Sequence, residues 1–263
     1  METHIFYKYQ GAGNDFIIFD NRNELFDRAN VDLVRKLCDR RFGIGADGLM
    51  LLQDVEGHDF EMIYYNADGH EGSMCGNGGR CIVAFAQDLG ITGSQTDFLA
   101  ADGVHHARIH ANNVGWISLQ MIDVDAVQQD GEAYILNTGS PHYIKIVQHL
   151  DTFAVFEEGR KVRYNDTYRD EGINVNFVQA ENGGYYVRTY ERGVEDETLA
   201  CGTGATAVAL AMAWRQGEDG EFETPIRVAG GKLTIRFSKA GDHFTNVFLE
   251  GPAEFVFKGE ISW

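Results

Sequence analysis

The chain of 263 residues is 44% hydrophobic and 24% charged, an ordinary globular composition with room for one large domain or two smaller ones. Forty acidic against 22 basic residues leave a formal charge of −18, which repels phosphate backbones and anionic lipid and so argues against nucleic-acid or membrane partners. No run approaches the roughly 18 apolar residues of a membrane span, and the opening METHIFYKYQGAGNDF lacks the basic-then-apolar layout of a secretion signal, so a cytoplasmic setting is expected.

In chain order, a strand is predicted at residues 16–19, then an amphipathic helix over 31–41 with Leu33, Val34 and Leu37 on one face and Gly43 just beyond its end. Strands follow at 49–52 and 60–65, and then a helix at 80–89 (RCIVAFAQDL) that is apolar around most of its circumference. After strands at 116–121, 143–147, 174–178 and 185–190 comes a second such helix at 205–215 (ATAVALAMAWR), and strands at 232–237, 244–249 and 254–257 complete the set. Helices that are apolar all round are buried.

Each buried helix directly follows a cysteine and glycines, Cys75-Gly76-Asn77-Gly78-Gly79 in one case and Cys201-Gly202-Thr203-Gly204 in the other. The cysteines lie 201 − 75 = 126 residues apart, and the same offset pairs residues 13–16 with 139–142 and residues 64–66 with 190–192. Three segments in one register point to an internal duplication into two similar α/β lobes, with a site in the cleft between them. A single Cys-Gly-x-Gly at a helix start is ordinarily a tight turn beside a buried thiol; two in register, each opening a buried helix, point to chemistry.

A helix N-terminus exposes N–H groups and carries partial positive charge. There a cysteine pKa can fall from about 8.5 into the physiological range, and the same N–H groups can hold a substrate carboxylate. With one cysteine as thiolate and the other as thiol, one removes a Cα proton while the other delivers one to the opposite face, inverting the carbon. The two helix N-termini would stabilise the charge that spreads into the carboxylate.

Other motifs carry less. Cys38 and Cys81 lie inside apolar helical patterns and read as buried thiols. Cys75 and Cys81 lack metal-ligand spacing, and the adjacent His105 and His106 have no companion carboxylate motif, so no metal is expected. Gly43-Ile44-Gly45-Ala46-Asp47-Gly48 matches the dinucleotide fingerprint but follows a charged helix end instead of a strand.

Gly11-x-Gly13-Asn14-Asp15-Phe16, Asn66-Ala67-Asp68-Gly69, Met74-Cys75-Gly76-Asn77-Gly78-Gly79-Arg80-Cys81, Gly139-Ser140-Pro141-His142, Tyr190-Glu191-Arg192-Gly193 and Ala200-Cys201-Gly202-Thr203-Gly204 stand in this order along the chain. With them the chain resembles the diaminopimelate epimerases over essentially its whole length. The resemblance implies an isomerase of lysine and peptidoglycan precursor biosynthesis that interconverts LL- and meso-diaminopimelate without pyridoxal phosphate, metal or other cofactor. The implied fold is α/β, of the α+β type. It has two pseudo-symmetric lobes, each a curved, mostly antiparallel sheet around a buried central helix, with the active site in the cleft between them. Residues 1–119 plus 253–263 would form the first lobe and 120–252 the second. The implied partner is the small-molecule substrate, with no nucleic acid and no membrane, and a homodimer is left open.

Carried over by position, Cys75 and Cys201 are the acid–base pair, Cys75 donating and Cys201 accepting in the LL-to-meso direction. His142 and Glu191 match residues beside the thiols. Asn14, Asn66, Asn77, Ser140, Asn174, Glu191 and Arg192 match substrate-binding positions, and the backbone of Gly76, Gly202 and Thr203 matches the carboxylate cradle. The chain departs from some members in having Ser140 in place of asparagine and Gly48 in place of glutamine, both at substrate-contacting positions. A proline-racemase-type enzyme on the same fold is the near alternative. Against it stand Asn77, where histidine would be expected, and Arg192, a partner for a second carboxylate. An oxidoreductase built on Gly43–Gly48 and a non-catalytic binding protein with structural thiols are the readings from other classes.

Overall fold

Apolar runs broken by glycine turns assemble into two units in the computed structural model, which describes residues 2–72, 74–110 and 115–263. The units are Met1–Leu119 with Gly251–Trp263, and Gln120–Glu250.

In the first unit, β1 (Thr3–Gly11) and β2 (Asn14–Asp20) form a hairpin. Its turn residues Ala12 and Gly13 both take positive φ, 52° and 86°, the primed turn whose twist suits the flanking strands. Helix α1 (Val31–Cys38) leads to β3 (Gly48–Gln53), parallel to β2, and β4 (Phe60–Asn66) returns antiparallel to β3. Helix α2 (Gly76–Asp88) then crosses to β5 (Gln95–Ala100), parallel to β4, followed by antiparallel β6 (Gly103–Ile109) and β7 (Trp116–Gln120). Every position of β3 is buried. Leu49 and Leu51 join the cluster containing Leu33, Val34 and Leu37 of α1, while Met50, on the opposite side of the pleat, meets Gly78 of α2.

The second unit repeats this order. β8 (Gln128–Asp130) and β9 (Ala133–Asn137) precede β10 (Pro141–Ile146), and a 3-10 turn at Leu150–Thr152 precedes α3 (Val155–Arg163). β11 (Asn174–Glu181) lies parallel to β10, β12 (Gly184–Glu191) returns, and the short β13 (Asp196–Thr198) precedes α4 (Gly202–Gln216). β14 (Gly220–Val228), β15 (Gly231–Ala240) and β16 (His243–Pro252) complete it, β14 parallel to β12. The parallel pairs share one register: Phe16 faces Gly48 and His142 faces Asn174, and 16 + 126 = 142 while 48 + 126 = 174. β17 (Glu254–Ser262) pairs antiparallel with β1 and so belongs to the first unit.

Each unit is organised on one buried helix. α2 packs against β1, β2, β3, β4, β6 and β17, and α4 against β9, β10, β11, β12, β14 and β15. Both start earlier than the apolar pattern indicates, with the glycines inside the first turn and the cysteine as N-cap. Helix α1 is shorter than predicted and ends at Cys38. There Asp39 leaves the helical region and its carboxylate accepts the N–H groups of Arg41 (2.7 Å) and Phe42 (2.8 Å). The Leu37 carbonyl is taken by Ile44 and Gly45, which turns the chain. Residues 43–47 therefore connect a helix to a strand, the reverse of the strand–loop–helix that a dinucleotide motif requires. Among the described residues no helix is long and apolar enough to cross a membrane.

Leu210→Ala, at a fully buried position of α4, is expected to lower the unfolding free energy by about 2–5 kcal/mol. Leu25→Ala, 57% exposed, should change it by no more than about 0.5 kcal/mol. Urea titration measures both, and equal small effects contradict a core centred on α4.

Candidate active site

Cys75 caps α2 in extended backbone (φ −107°, ψ 123°), and its side chain makes no capping bond to the helix. The first helical bond runs from Gly79 N to the Cys75 carbonyl (2.7 Å), so the N–H groups ahead of it lie outside the helical ladder. The half-buried Sγ donates to Asn14 Oδ1 at 3.7 Å. That oxygen also accepts from Asn77 Nδ2 (3.2 Å), and Asn77 Oδ1 accepts from Arg80 Nη2 (2.8 Å).

Charges at the two ends orient this chain. A guanidinium only donates and a carboxylate only accepts, so Arg80 fixes which side of the Asn77 amide is oxygen. Asp47 Oδ2, accepting from Asn14 Nδ2 at 2.6 Å, fixes the other end. Asn14 thus turns its oxygen to Cys75. Arg80 is fully buried and also donates to the carbonyls of Gly76 (3.1 Å) and Pro252 (3.4 Å). Asp47 pairs with Arg40 (2.8 Å), which also pairs with Asp15 (2.6 Å), and Lys8 adds a further bond to Asp15 (2.8 Å). Burial pushes the Asp15 carboxyl up, but its bonds to Arg40 and Lys8 outweigh that and hold it at about 2.

Asn66 is exposed at the end of β4, where its Oδ1 accepts the Tyr64 hydroxyl at 3.1 Å. A Cβ on Gly48 would lie 2.5 Å from the Tyr64 ring and 2.7 Å from the Tyr65 carbonyl. The space that a longer side chain at 48 would enter is therefore filled by Tyr64.

Cys201 caps α4 in the same way (φ −111°, ψ 109°) and is buried. Its Sγ lies 3.5 Å from Thr203 Oγ1, which is 3.4 Å from Ser140 Oγ. Ser140 Oγ is 3.0 Å from His142 Nε2 and accepts from Asn174 Nδ2 at 3.1 Å. Asn174 Oδ1 accepts the backbone N–H of Arg192 (2.9 Å), whose Nη1 donates to the Glu171 carbonyl (3.1 Å). Thr138 Oγ1 donates to the Thr203 carbonyl (2.9 Å) and pins the start of α4. Glu191 closes β12, with its carboxylate accepting the Thr198 hydroxyl at 2.8 Å.

His142 is fully buried, and burial together with the nearby Arg192 charge pushes it down to about 3. It is a neutral imidazole at physiological pH. Cys38 and Cys81 are buried as expected, and burial pushes the Cys38 thiol up to about 12 and the Cys81 thiol higher still, which leaves them inert.

The diaminopimelate epimerase family model matches residues 6–124 and 134–256. The chain is 54% identical to the diaminopimelate epimerase of Flavobacterium psychrophilum over 97% of its own length and 99% of that protein. It is 42% identical to that of Chlorobaculum tepidum, covering 96% and 99%. The chain belongs to the diaminopimelate epimerase family. Among solved structures it is similar to a PhzF-family phenazine biosynthesis protein from Bacillus anthracis, with TM-score 0.75, 16% identity and complete coverage of both chains. It is also similar to a hydroxyproline epimerase from Agrobacterium vitis, with TM-score 0.71, 13% identity and coverage of 98% and 92%. At such identities these share the fold, and the family rests on the sequence relatives.

Three residues orient the candidate site without having been singled out for it in the sequence: Arg80, which lies within a quoted motif, Tyr64, which lies within the repeat, and Asn176. Arg80 is the charged residue in the buried N-terminal half of α2, whose other charged residue, Asp88, stands at its C-terminal end. Asn176 follows Asn174 by two in the apolar strand NVNFV, so both amides lie on one face. Tyr64 precedes Asn66 by two and shares its face in the same manner.

Because folding holds His142 below its ordinary value of about 6.5, its contribution to stability is complete above pH ~6.5 and declines as pH falls from there toward about 3. Between pH 7.5 and pH 5.0 the wild type is expected to lose about 2 kcal/mol more than His142→Gln. Urea titrations of both proteins at the two pH values test this, and identical losses contradict a neutral buried imidazole.

Proposed function

We propose that the protein interconverts LL- and meso-2,6-diaminopimelate by two-thiol proton transfer, with no cofactor and no metal, in lysine and peptidoglycan precursor biosynthesis in the cytoplasm. The observation that carries this reading is the pair of cysteines that cap buried helices in equivalent places of a repeated topology. In the LL-to-meso direction Cys201 is the base and Cys75 the acid, and the reverse reaction exchanges them.

The α-proton is far less acidic than a thiol, so the step needs stabilisation of the charge that spreads from Cα into the carboxylate. Helix N-termini supply it through N–H groups already oriented, including those of Gly76, Gly202 and Thr203. Asn14, Asn77 and Asn174 hold the reacting end, each with its amide oriented by other bonds. Arg192, exposed beside Asn174, binds the distal carboxylate, where a guanidinium offers bidentate contact. Asn66 and Ser140 add polar contacts, and Glu191 and the neutral His142 set the charge environment of the thiols. The substrate is the partner of this chain, and the acidic surface gives nucleic acid and anionic membranes no purchase.

Cys75→Ser and Cys201→Ser are each expected to lower the rate of LL-diaminopimelate epimerisation by at least about a thousandfold, with no further loss in the double variant because the pair acts as a unit. Chromatographic separation of the stereoisomers measures this. Losses that multiply contradict the coupled roles, and turnover of proline in preference to diaminopimelate overturns the substrate assignment.

A further inference from the structure

The two thiols meet neighbours of opposite hydrogen-bonding sense. At Cys75 the facing atom is an amide oxygen held as an acceptor, which suits a thiol. At Cys201 the facing group is a hydroxyl, whose direction depends on what lies behind it.

Behind it stands Asn176, fully buried in β11. Its Nδ2 donates to the Tyr143 carbonyl (3.1 Å), an atom that only accepts, and its Oδ1 accepts the Thr189 hydroxyl (2.9 Å), so the amide has one orientation. The same Nδ2 lies 3.1 Å from His142 Nδ1. That ring nitrogen must therefore be bare, and the neutral ring carries its hydrogen on Nε2. From Nε2 the hydrogen points to Ser140 Oγ at 3.0 Å. Ser140 also accepts from Asn174, whose amide is oriented by the Pro141 carbonyl (3.1 Å) and the Arg192 N–H (2.9 Å). With both lone pairs engaged, the Ser140 hydroxyl donates to Thr203 Oγ1, and Thr203 donates to Cys201 Sγ.

We propose that Asn176 is a positioning residue that holds Cys201 as the thiolate, through a one-way relay from Asn176 to His142, Ser140, Thr203 and the sulfur. The proposal deepens the reading in which Cys201 is the base. Every bond in the relay donates toward Sγ, so the sulfur meets an O–H, and a hydrogen bond donated to the charged form favours it. Packing keeps the relay in place: a Cβ on Gly204 would fall 2.4 Å from Asn176 Oδ1 and 3.3 Å from Sγ. Among the described residues, the titratable and charged groups near this end of α4 include His142 on β10 and Glu191 and Arg192 at the end of β12. β11 contributes neutral amides. Of the other strands on α4, β9 and β14 bury Leu136 and Ile226, and β15 buries Leu233 together with Lys239, which is tied to Asp219.

The test is the pH dependence of iodoacetamide alkylation, read separately at Cys75 and Cys201 by peptide mass spectrometry, in wild type, Thr203→Val and Asn176→Leu. Both variants are expected to move the Cys201 midpoint up by about one pH unit, a roughly tenfold loss of thiolate, and to leave the Cys75 midpoint in place. An unchanged Cys201 midpoint in Asn176→Leu overturns the proposal, whatever that variant loses in stability. Histidine 15N shifts of the wild type give a reading that needs no variant: the Nε2–H form of His142 is expected, and the Nδ1–H form overturns the relay. Neither reading uses turnover, so a failure of the relay is distinguishable from absence of epimerase activity.

Discussion

A helix enclosed along most of its length has few outlets for its polar backbone, and the N–H groups of its first turn are one of them. Both α2 and α4 are buried in this way, and each is capped by a cysteine whose side chain makes no capping bond to the backbone of the first turn. A serine or aspartate cap would satisfy one of those N–H groups and stabilise the helix by about 0.5–2 kcal/mol. Leaving them unsatisfied by the cap keeps the partial positive charge of the helix end available to an anion, and places a thiol at the same point. At Gly204 a Cβ would fall 2.4 Å from Oδ1 of the buried Asn176, so that first turn has no room for a side chain there.

The duplication supplies two such helix ends, and the side chains around them make the two chemically unlike. Around Cys75 an ionic sequence, from Arg80 at one end to Asp47 at the other, orients two asparagines and presents an oxygen acceptor. Around Cys201 stand a neutral histidine and two hydroxyls, those of Ser140 and Thr203. The offset of 126 residues aligns Asn14 with Ser140 and Phe16 with His142 (14 + 126 = 140; 16 + 126 = 142). The two thiols therefore have chemically different neighbours although the halves share strand order and register.

Much of this was legible in the residues. Short apolar runs marked ten strands, and apolarity around most of the circumference marked both central helices. The resemblance to known epimerases named the candidate site residues. What escaped was set by tertiary contacts. β14 (GEFETPIRV) is interrupted by Pro225 and charged residues, and its pairing with β15 and β12 makes it a strand. α3 (VFEEGRKVR) buries only Val155 and Gly159, too little to show a periodic face. Arg80 and Asn176 are polar residues in apolar elements, and nothing short of their partners shows what they orient. Gly48 looked like a lost contact, and the structure shows the Tyr64 ring in the space it leaves.

The most direct test of two unequal thiols acting on opposite faces is isotopic. LL-diaminopimelate is incubated with the enzyme in deuterated water and sampled at low conversion, and both stereoisomers are analysed for label. The account predicts meso product with deuterium at the inverted α-carbon, delivered by a solvent-exchanged thiol, beside LL substrate that remains unlabelled. Deuterium entering the recovered LL substrate as fast as the product, or meso product without deuterium, would mean that a single base serves both faces and would contradict it.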